Sequence, residues 1–271
     1  MLIDLQLSPG TMPWPAILEG SQAAEEAGFA ALWAFDHLDG SLLRGHTMLE
    51  CWSLMGAVAA STRTIGVGTL VANIASRPPG VLAAAAASVQ AISGGRLRLG
   101  LGAGTSPRSP FASEQRAMNM PVKGRLAERH AALVEVLDLL DTLWSPDRDP
   151  VYAGFARPEV RPPVLVGVNS AALAAIAGQR CDGVNVRGSD PNMAEWLRVA
   201  RAAHSARPAA GAGVVGAPFE ATLWTMWDPD LLDADHPDRR TWAALGIDRL
   251  ILTALEPLDA VTIAASARYL R

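Results

Sequence analysis

A closed α/β barrel of the (β/α)8 TIM type is the fold this chain predicts, and three observations predict it. Strand-like and helix-like segments alternate along the whole sequence in eight pairs, the number a closed parallel barrel needs. The length, 271 residues, suits a barrel of about 250. Residues 65–104 read as one complete β-α-β unit of a parallel sheet, ending in a bare glycine-rich backbone. A doubly wound open sheet is the alternative, but it does not usually need eight units. No repeat, low-complexity tract or linker marks a second domain, so residues 1–271 are expected to form a single barrel domain.

The elements follow in order. Leu2–Leu7 is a first strand, and Trp14–Ala27 a helix that Gly28 ends, since glycine accepts the left-handed backbone of a helix C-terminus. Ala31–Phe35 is the second strand and Glu50–Ala60 the next helix. Ile65–Val71 is β-branched and apolar; Pro78–Pro79 then open an Ala-rich helix that stops at Gly94–Gly95, and Arg96–Leu101 is the fourth strand. Thr105–Pro121 reads as a long loop and Val122–Trp144 as the longest helix. Val164–Val168, Gly183–Val186, a segment within Val214–Trp224, and Arg249–Leu255 are the remaining strands. Their helices are Ser170–Arg180, Pro191–Ser205, Arg239–Leu245 and Pro257–Leu270. Barrel enzymes keep their sites at the C-terminal ends of the strands, so this order turns sequence positions into site candidates.

Composition narrows the function classes. A net charge of −4 with no broad basic face argues against nucleic acid as a partner. Lys123 is the one lysine, so the other basic groups are arginines, planar forks suited to carboxylates and phosphates. Cys51 and Cys181 sit in apolar or helix-end contexts and are expected as free thiols of a reducing compartment. The first residues carry no signal-peptide pattern, so the expected location is cytoplasmic. The uncharged run 78–95 is bounded by prolines and glycines and broken by Ser88 and Gln90, which fits a packed helix rather than a membrane span. The five histidines show no metal-ligand spacing, so no metal is expected.

Four strand ends carry candidate chemistry, and each has a plain structural reading beside the functional one. Asp36–His37 ends the second strand: a solvated loop pair, or a histidine placed to exchange a proton with a reacting oxygen. Leu70–Val71, with Asn73, ends the third. Gly100, Gly102 and Gly104 either let the strand bend into its loop or leave bare backbone for a flat ring to approach. A dinucleotide fingerprint is rejected there, because Thr105 stands where it needs glycine and no helix starts. Asn169 and Ser170 open a helix, as caps or as the start of a phosphate site using amides such as those of Ala172 and Leu173. Trp14, Trp52, Trp224 and Trp227 fall near strand ends or the helices beside them, half of them as core packing, and Trp224 or Trp227, after the seventh strand, is placed to wall a substrate pocket.

The segments AEEAGFAALWAFDHL (Ala24–Leu38), RPPGVLAAAAASVQAI and SGGRLRLGLGAG resemble the flavin- and deazaflavin-dependent luciferase-like oxidoreductases. The resemblance covers most of the chain and is densest over 20–104 and 163–183. It implies a tricyclic redox cofactor at the barrel mouth, His37 catalytic beside the reacting ring, and Asp36, Leu70, Val71, Asn73, Gly104, Thr105, Asn169, Ser170, Ala172 and Leu173 binding the cofactor. It also implies a non-proline cis peptide at Leu70–Val71. Asn169–Ser170 departs from the Gly-Gly or Ser-Gly pair that relatives place against the phosphate. Thr105 stands where the sugar-phosphate dehydrogenases of the family carry a catalytic glutamate, which disfavours a phosphorylated sugar. The pattern is most similar to the coenzyme F420 branch, implying hydride transfer between F420 and an organic substrate. The alternative is a monooxygenase using reduced FMN. A lyase or isomerase without redox cofactor and a non-catalytic flavin-binding relative are the rivals from other classes. The implied partners are a small-molecule substrate, with a homodimer open, and a reductase only if the cofactor is FMN; a membrane is not among them.

Overall fold

The computed structural model describes residues 1–207 and 218–270. Nine strands form one parallel sheet: β1 (Leu2–Leu7), β2 (Ala31–Ala34), β3 (Gly66–Thr69), β4 (Ala72–Asn73), β5 (Leu97–Gly102), β6 (Val164–Gly167), β7 (Gly183–Arg187), β8 (Glu220–Met226) and β9 (Arg249–Ala254). Their order is β3-β2-β1-β9-β8-β7-β6-β5-β4, and β3 also pairs with β5, so the sheet closes. β3 and β4 are two halves of one strand, interrupted at Leu70–Val71, which leaves eight barrel strands as expected. The part of the expected seventh strand at 214–217 lies outside the described residues.

Among the described residues ten helices surround the sheet: α1 (Trp14–Ala27), α2 (Cys51–Ser61), α3 (Pro79–Ile92), α4 (Ala112–Ala117), α5 (Leu126–Trp144), α6 (Ala171–Arg180), α7 (Met193–Ser205), α8 (Pro237–Ala244), α9 (Ala260–Ala265) and α10 (Ala267–Leu270). Local chemistry sets their ends. Gly28, with φ of 100°, closes α1 through its N–H to Ala24 and Glu25. Glu50 caps α2 by accepting from the Ser53 N–H, so the helix starts one residue after its expected start. α5 starts at Leu126, four residues late, where the Glu128 carboxylate reaches back to accept the Arg125 N–H at 3.2 Å. The expected last helix breaks in two at Ser266. The loop 105–121 contains a short helix, α4, that was not expected; it proves central to the site.

Burial explains the apolar patterns. α3 turns Leu82, Ala83, Ala86, Ala87, Val89 and Gln90 inward at helical spacing. Gln90 is not an exception to the core: its side chain donates to the Val160 carbonyl and accepts from the Leu97 N–H, tying α3 to the strand that follows. Among the described residues no helix is long and apolar enough to cross a membrane. Cys51 and Cys181 are free, buried thiols, and burial raises both above the ordinary thiol value.

The large core lies between sheet and helices. Inside the barrel Ala31, Trp33, Leu165 and Ile251 form a second, small one, with Leu70 and Trp224 packed on it. The N-terminal end of the barrel is filled by charge. Asp4 accepts from Arg249 at 2.6 Å and from the Trp33 indole at 2.8 Å, and Glu220 pairs with Arg98 and Arg249. Burial pushes the Asp4 carboxyl up to about 6 against the pull of Arg249. The cavities lined by the candidate residues lie at the other, C-terminal end.

Candidate active site

The interruption of the third barrel strand shapes the mouth. The Leu70–Val71 peptide is cis, as the sequence resemblance implied. Glycines make room for it. A Cβ on Gly100 would meet the Thr69 carbonyl at 2.1 Å, and one on Gly102 would meet Val71 Cγ2 at 2.7 Å. The glycines therefore do more than let a strand bend: they leave room for the interrupted strand and for Val71, which lines the cavity. Gln6 holds the bulge from below, donating from Nε2 to the Leu70 carbonyl at 3.4 Å while its Oε1 accepts from Thr253.

Above the bulge lies a cavity of ≈310 Å³, within the range of small-molecule sites. His37, Asp36, Leu70, Val71, Asn73, Gly104 and Thr105 all line it, so seven of the eleven expected site residues converge. Gln6, Phe35, Phe111, Asn185 and Trp224 complete much of the wall. An adjoining cavity of ≈490 Å³ shares Asn185 and Trp224 and contains Asn169 and Arg187. A third, of ≈390 Å³, shares Gly104 and Thr105 and is lined by Lys123 and Arg129. Trp227 lines a separate cavity near Arg44 and Glu256, and Trp52 is buried in the core, so only Trp224 of the four candidate tryptophans walls the mouth.

His37 is held by a residue the sequence did not single out. Its Nδ1 lies 2.7 Å from Glu114 Oε1, on α4. The other Glu114 oxygen accepts from the N–H groups of Leu38 and Asp39, at 2.8 and 3.2 Å. The ring also stacks against Phe111, centroid to centroid 4.4 Å. A carboxylate on Nδ1 keeps the neutral imidazole proton there, which leaves Nε2 as the acceptor. Burial alone would raise the Glu114 carboxyl, but His37 and the two backbone donors outweigh it and hold it below its usual 4.5. A lowered carboxylate stabilises the fold above its unfolded value, and that contribution is lost as pH falls through the folded value. The His37–Glu114 pair therefore stays intact across the neutral range.

Asp36 requires a correction. Its side chain has no exposure, and its two oxygens form a bidentate pair with Arg77 at 2.7 Å each. Oδ2 also accepts the Asn73 N–H at 2.8 Å. A carboxylate so enclosed positions the loop after β4, and Asp36 borders the cavity without offering its carboxylate to it. Arg77 continues to Glu50 at 3.1 Å. Asn73 in turn donates to the Thr105 hydroxyl and accepts from the Ala75 N–H, so it fixes the facing loop.

The fifth-strand end is corrected in part. Ser170 caps α6, its hydroxyl accepting from the Leu173 N–H at 3.3 Å. Leu173 is thus engaged by the cap, and its side chain is in the core, so it is no free donor to an anion. Ser170, Ala172 and Leu173 line neither mouth cavity, whereas Asn169 lines the adjoining one. Among the described residues no cluster of His, Cys, Asp or Glu is arranged to hold a metal ion.

A family model described as luciferase-like monooxygenase matches residues 2–225. The chain belongs to that family. Within it, the chain is 33% identical over 188 residues to the F420-dependent hydroxymycolic acid dehydrogenase of Mycobacterium tuberculosis, a match covering 65% of this chain and 50% of the relative. It is 28% identical over 193 residues to the F420-dependent glucose-6-phosphate dehydrogenase of Microbacterium testaceum, covering 65% and 54%. The chain spans about half the length of the curated relatives it matches. A solved F420-dependent secondary alcohol dehydrogenase, in complex with an F420-acetone adduct, superposes with a TM-score of 0.76 over 100% of both chains at 16% identity, a likeness of fold.

Proposed function

We propose that this luciferase-like chain is an F420-dependent oxidoreductase acting on a small organic substrate at the carbon bearing a hydroxyl or carbonyl. The observation that carries the reading is the Glu114-held His37 on a cavity floored by the Leu70–Val71 bulge. The cavity suits a flat ring: the bulge forms one wall, Phe35, Phe111 and Trp224 form apolar sides, and Gly102 and Gly104 leave the fourth strand bare. The deazaflavin, when bound, supplies a two-electron hydride acceptor or donor. The chain's own contribution is the proton. In oxidation, the hydroxyl proton goes to His37 Nε2 as the C–H pair leaves with its electrons; in reduction the same nitrogen returns it. Glu114 supports the imidazolium so formed, being already charged at neutral pH.

The printed activities of the relatives, F420-dependent in the dehydrogenases of both organisms named above, support F420 over FMN. Thr105 in place of a glutamate supports a substrate other than a phosphorylated sugar. The start of α6 supports the phosphate site, because the Ala171 and Ala172 amides have no partner inside the helix and sit at its positive end.

Ser170→Asp tests that last element. Aspartate caps as well as serine, so the melting temperature should hold. A fixed negative charge beside the phosphate should weaken F420 at least tenfold, about 1.4 kcal/mol. A phosphate-free deazaflavin should bind the variant as it binds the parent. Unchanged F420 affinity at unchanged melting temperature would make Ser170 a cap and nothing more.

A further inference from the structure

Arginines around the mouth have partners in the chain. Arg77 is on Asp36, Arg44 is on Glu256, and Arg129 donates to the Lys123 carbonyl. Arg187, the last residue of β7, differs. Its guanidinium lies over the Trp224 ring, 5.2 Å from the centroid, and makes no hydrogen bond or ion pair with any described group. A cation held over an aromatic face keeps its five N–H donors free. The carboxylate in the same cavity, Asp190, does not satisfy it. Asp190 accepts from the Asn192 N–H at 2.8 Å and from the Trp196 indole at 3.1 Å instead.

A second observation lies two residues earlier, on the same face of the strand. Asn185 is 97% buried and lines both the ring cavity and the adjoining one. Its Nδ2 donates to Thr222 at 2.8 Å, but its Oδ1 has no partner among the described residues. Trp224 also lines both cavities. The junction between them thus offers an unpaired cation, an amide oxygen with no partner among the described residues, and an aromatic ring.

We propose that Arg187, held over the Trp224 ring, is the anion-recognition residue of the mouth. It grips an oxyanion, phosphate or carboxylate, of a molecule that passes the Asn185–Trp224 junction into the ring cavity. This rests on the reading of that cavity as a redox site. The oxyanion has two candidate sources, the phosphate of the cofactor or an acid group of the substrate. The second makes the substrate an organic acid, with Asn185 Oδ1 accepting a hydroxyl or N–H nearby. Either way the charged donor comes from the sixth barrel strand, beside the uncharged amides at the start of the helix that follows the fifth.

The test compares the parent chain with Arg187→Ala, whose melting temperature should not change, since the side chain is exposed and unbonded. F420 and a phosphate-free deazaflavin are titrated by fluorescence quenching at low and high salt. A loss of tenfold or more for F420 alone, with loss of its salt dependence, assigns the cofactor's phosphate to Arg187. If F420 binds both proteins alike, benzoate and its uncharged counterpart benzamide are titrated next, read by tryptophan fluorescence. Saturable quenching by benzoate in the parent, at least tenfold weaker in the variant and absent for benzamide, assigns the substrate's acid group. No difference between parent and variant in either arm overturns the proposal. If the parent binds neither deazaflavin, the redox reading fails separately, because the benzoate arm can still be read on the protein alone.

Discussion

His37→Ala is expected to lower turnover by about 10²–10⁴-fold, the range for losing a positioned acid–base group. Cofactor affinity should stay close to that of the parent, because the ring cavity is walled by the bulge and by Phe35, Phe111 and Trp224 rather than by the imidazole alone. The readout is F420 reduction with an alcohol the parent accepts, beside a fluorescence titration of F420. Glu114→Gln separates positioning from chemistry. The amide keeps the shape of the side chain and one acceptor, yet cannot stabilise an imidazolium as a carboxylate does. It should lower kcat with little change in the KM for cofactor, and by less than the loss of His37. Equal turnover of parent and His37→Ala would remove the histidine from the chemistry and leave it a packing partner of Phe111.

Arg77→Met should unfold the chain more readily, by about 3–5 kcal/mol, the cost of leaving a buried charge without its partner. The Asp36 side chain has no exposure, and two of its three contacts are to Arg77. The third, to the Asn73 N–H, anchors the loop that turns Asn73 toward Thr105. Loss of the pair should therefore weaken F420 binding as well as stability, without any direct contact being removed. Denaturant unfolding of Arg77→Met and of the double variant Asp36→Asn/Arg77→Met checks the cause. Neutralising the carboxyl should restore much of the lost stability. A double variant no more stable than the single one would show that the uncompensated charge is not what matters.

The barrel was legible because several helix boundaries carry local punctuation: Gly28 after α1, the prolines before α3, the glycines after it. The convergence of Asp36, Leu70, Asn73 and Gly104 followed from strand order alone, since strand ends meet in a closed parallel sheet. What was hidden depends on long-range partners. Glu114 lies 77 residues from His37, on a six-residue helix in a loop with no clear period. A helix-forming run, ASEQRA, with one acidic side chain in a loop otherwise rich in Ser, Pro and Arg, was the available signal. The resemblance placed Asp36 at the cofactor, and it does border the cavity, but sequence does not show the guanidinium 41 residues later that encloses its carboxylate. Leu173 was read as a free amide because the same hydroxyl that announces a helix start also engages its N–H. Arg187 looked like one arginine among many until Trp224, from the neighbouring strand, was seen beneath it.

The central claim is that the cavity over the Leu70–Val71 bulge takes a deazaflavin, and equilibrium binding tests it most directly. Purified protein is titrated with F420 and, separately, with FMN, each followed by its own fluorescence. The structure and the family together predict saturable F420 binding at least tenfold tighter than FMN, about 1.4 kcal/mol, weakened by Ser170→Asp and left in place by His37→Ala. Micromolar FMN binding with none for F420 would contradict it and move the chain to reduced-flavin monooxygenation; binding of neither would leave the His37–Glu114 pair without a redox cofactor to serve.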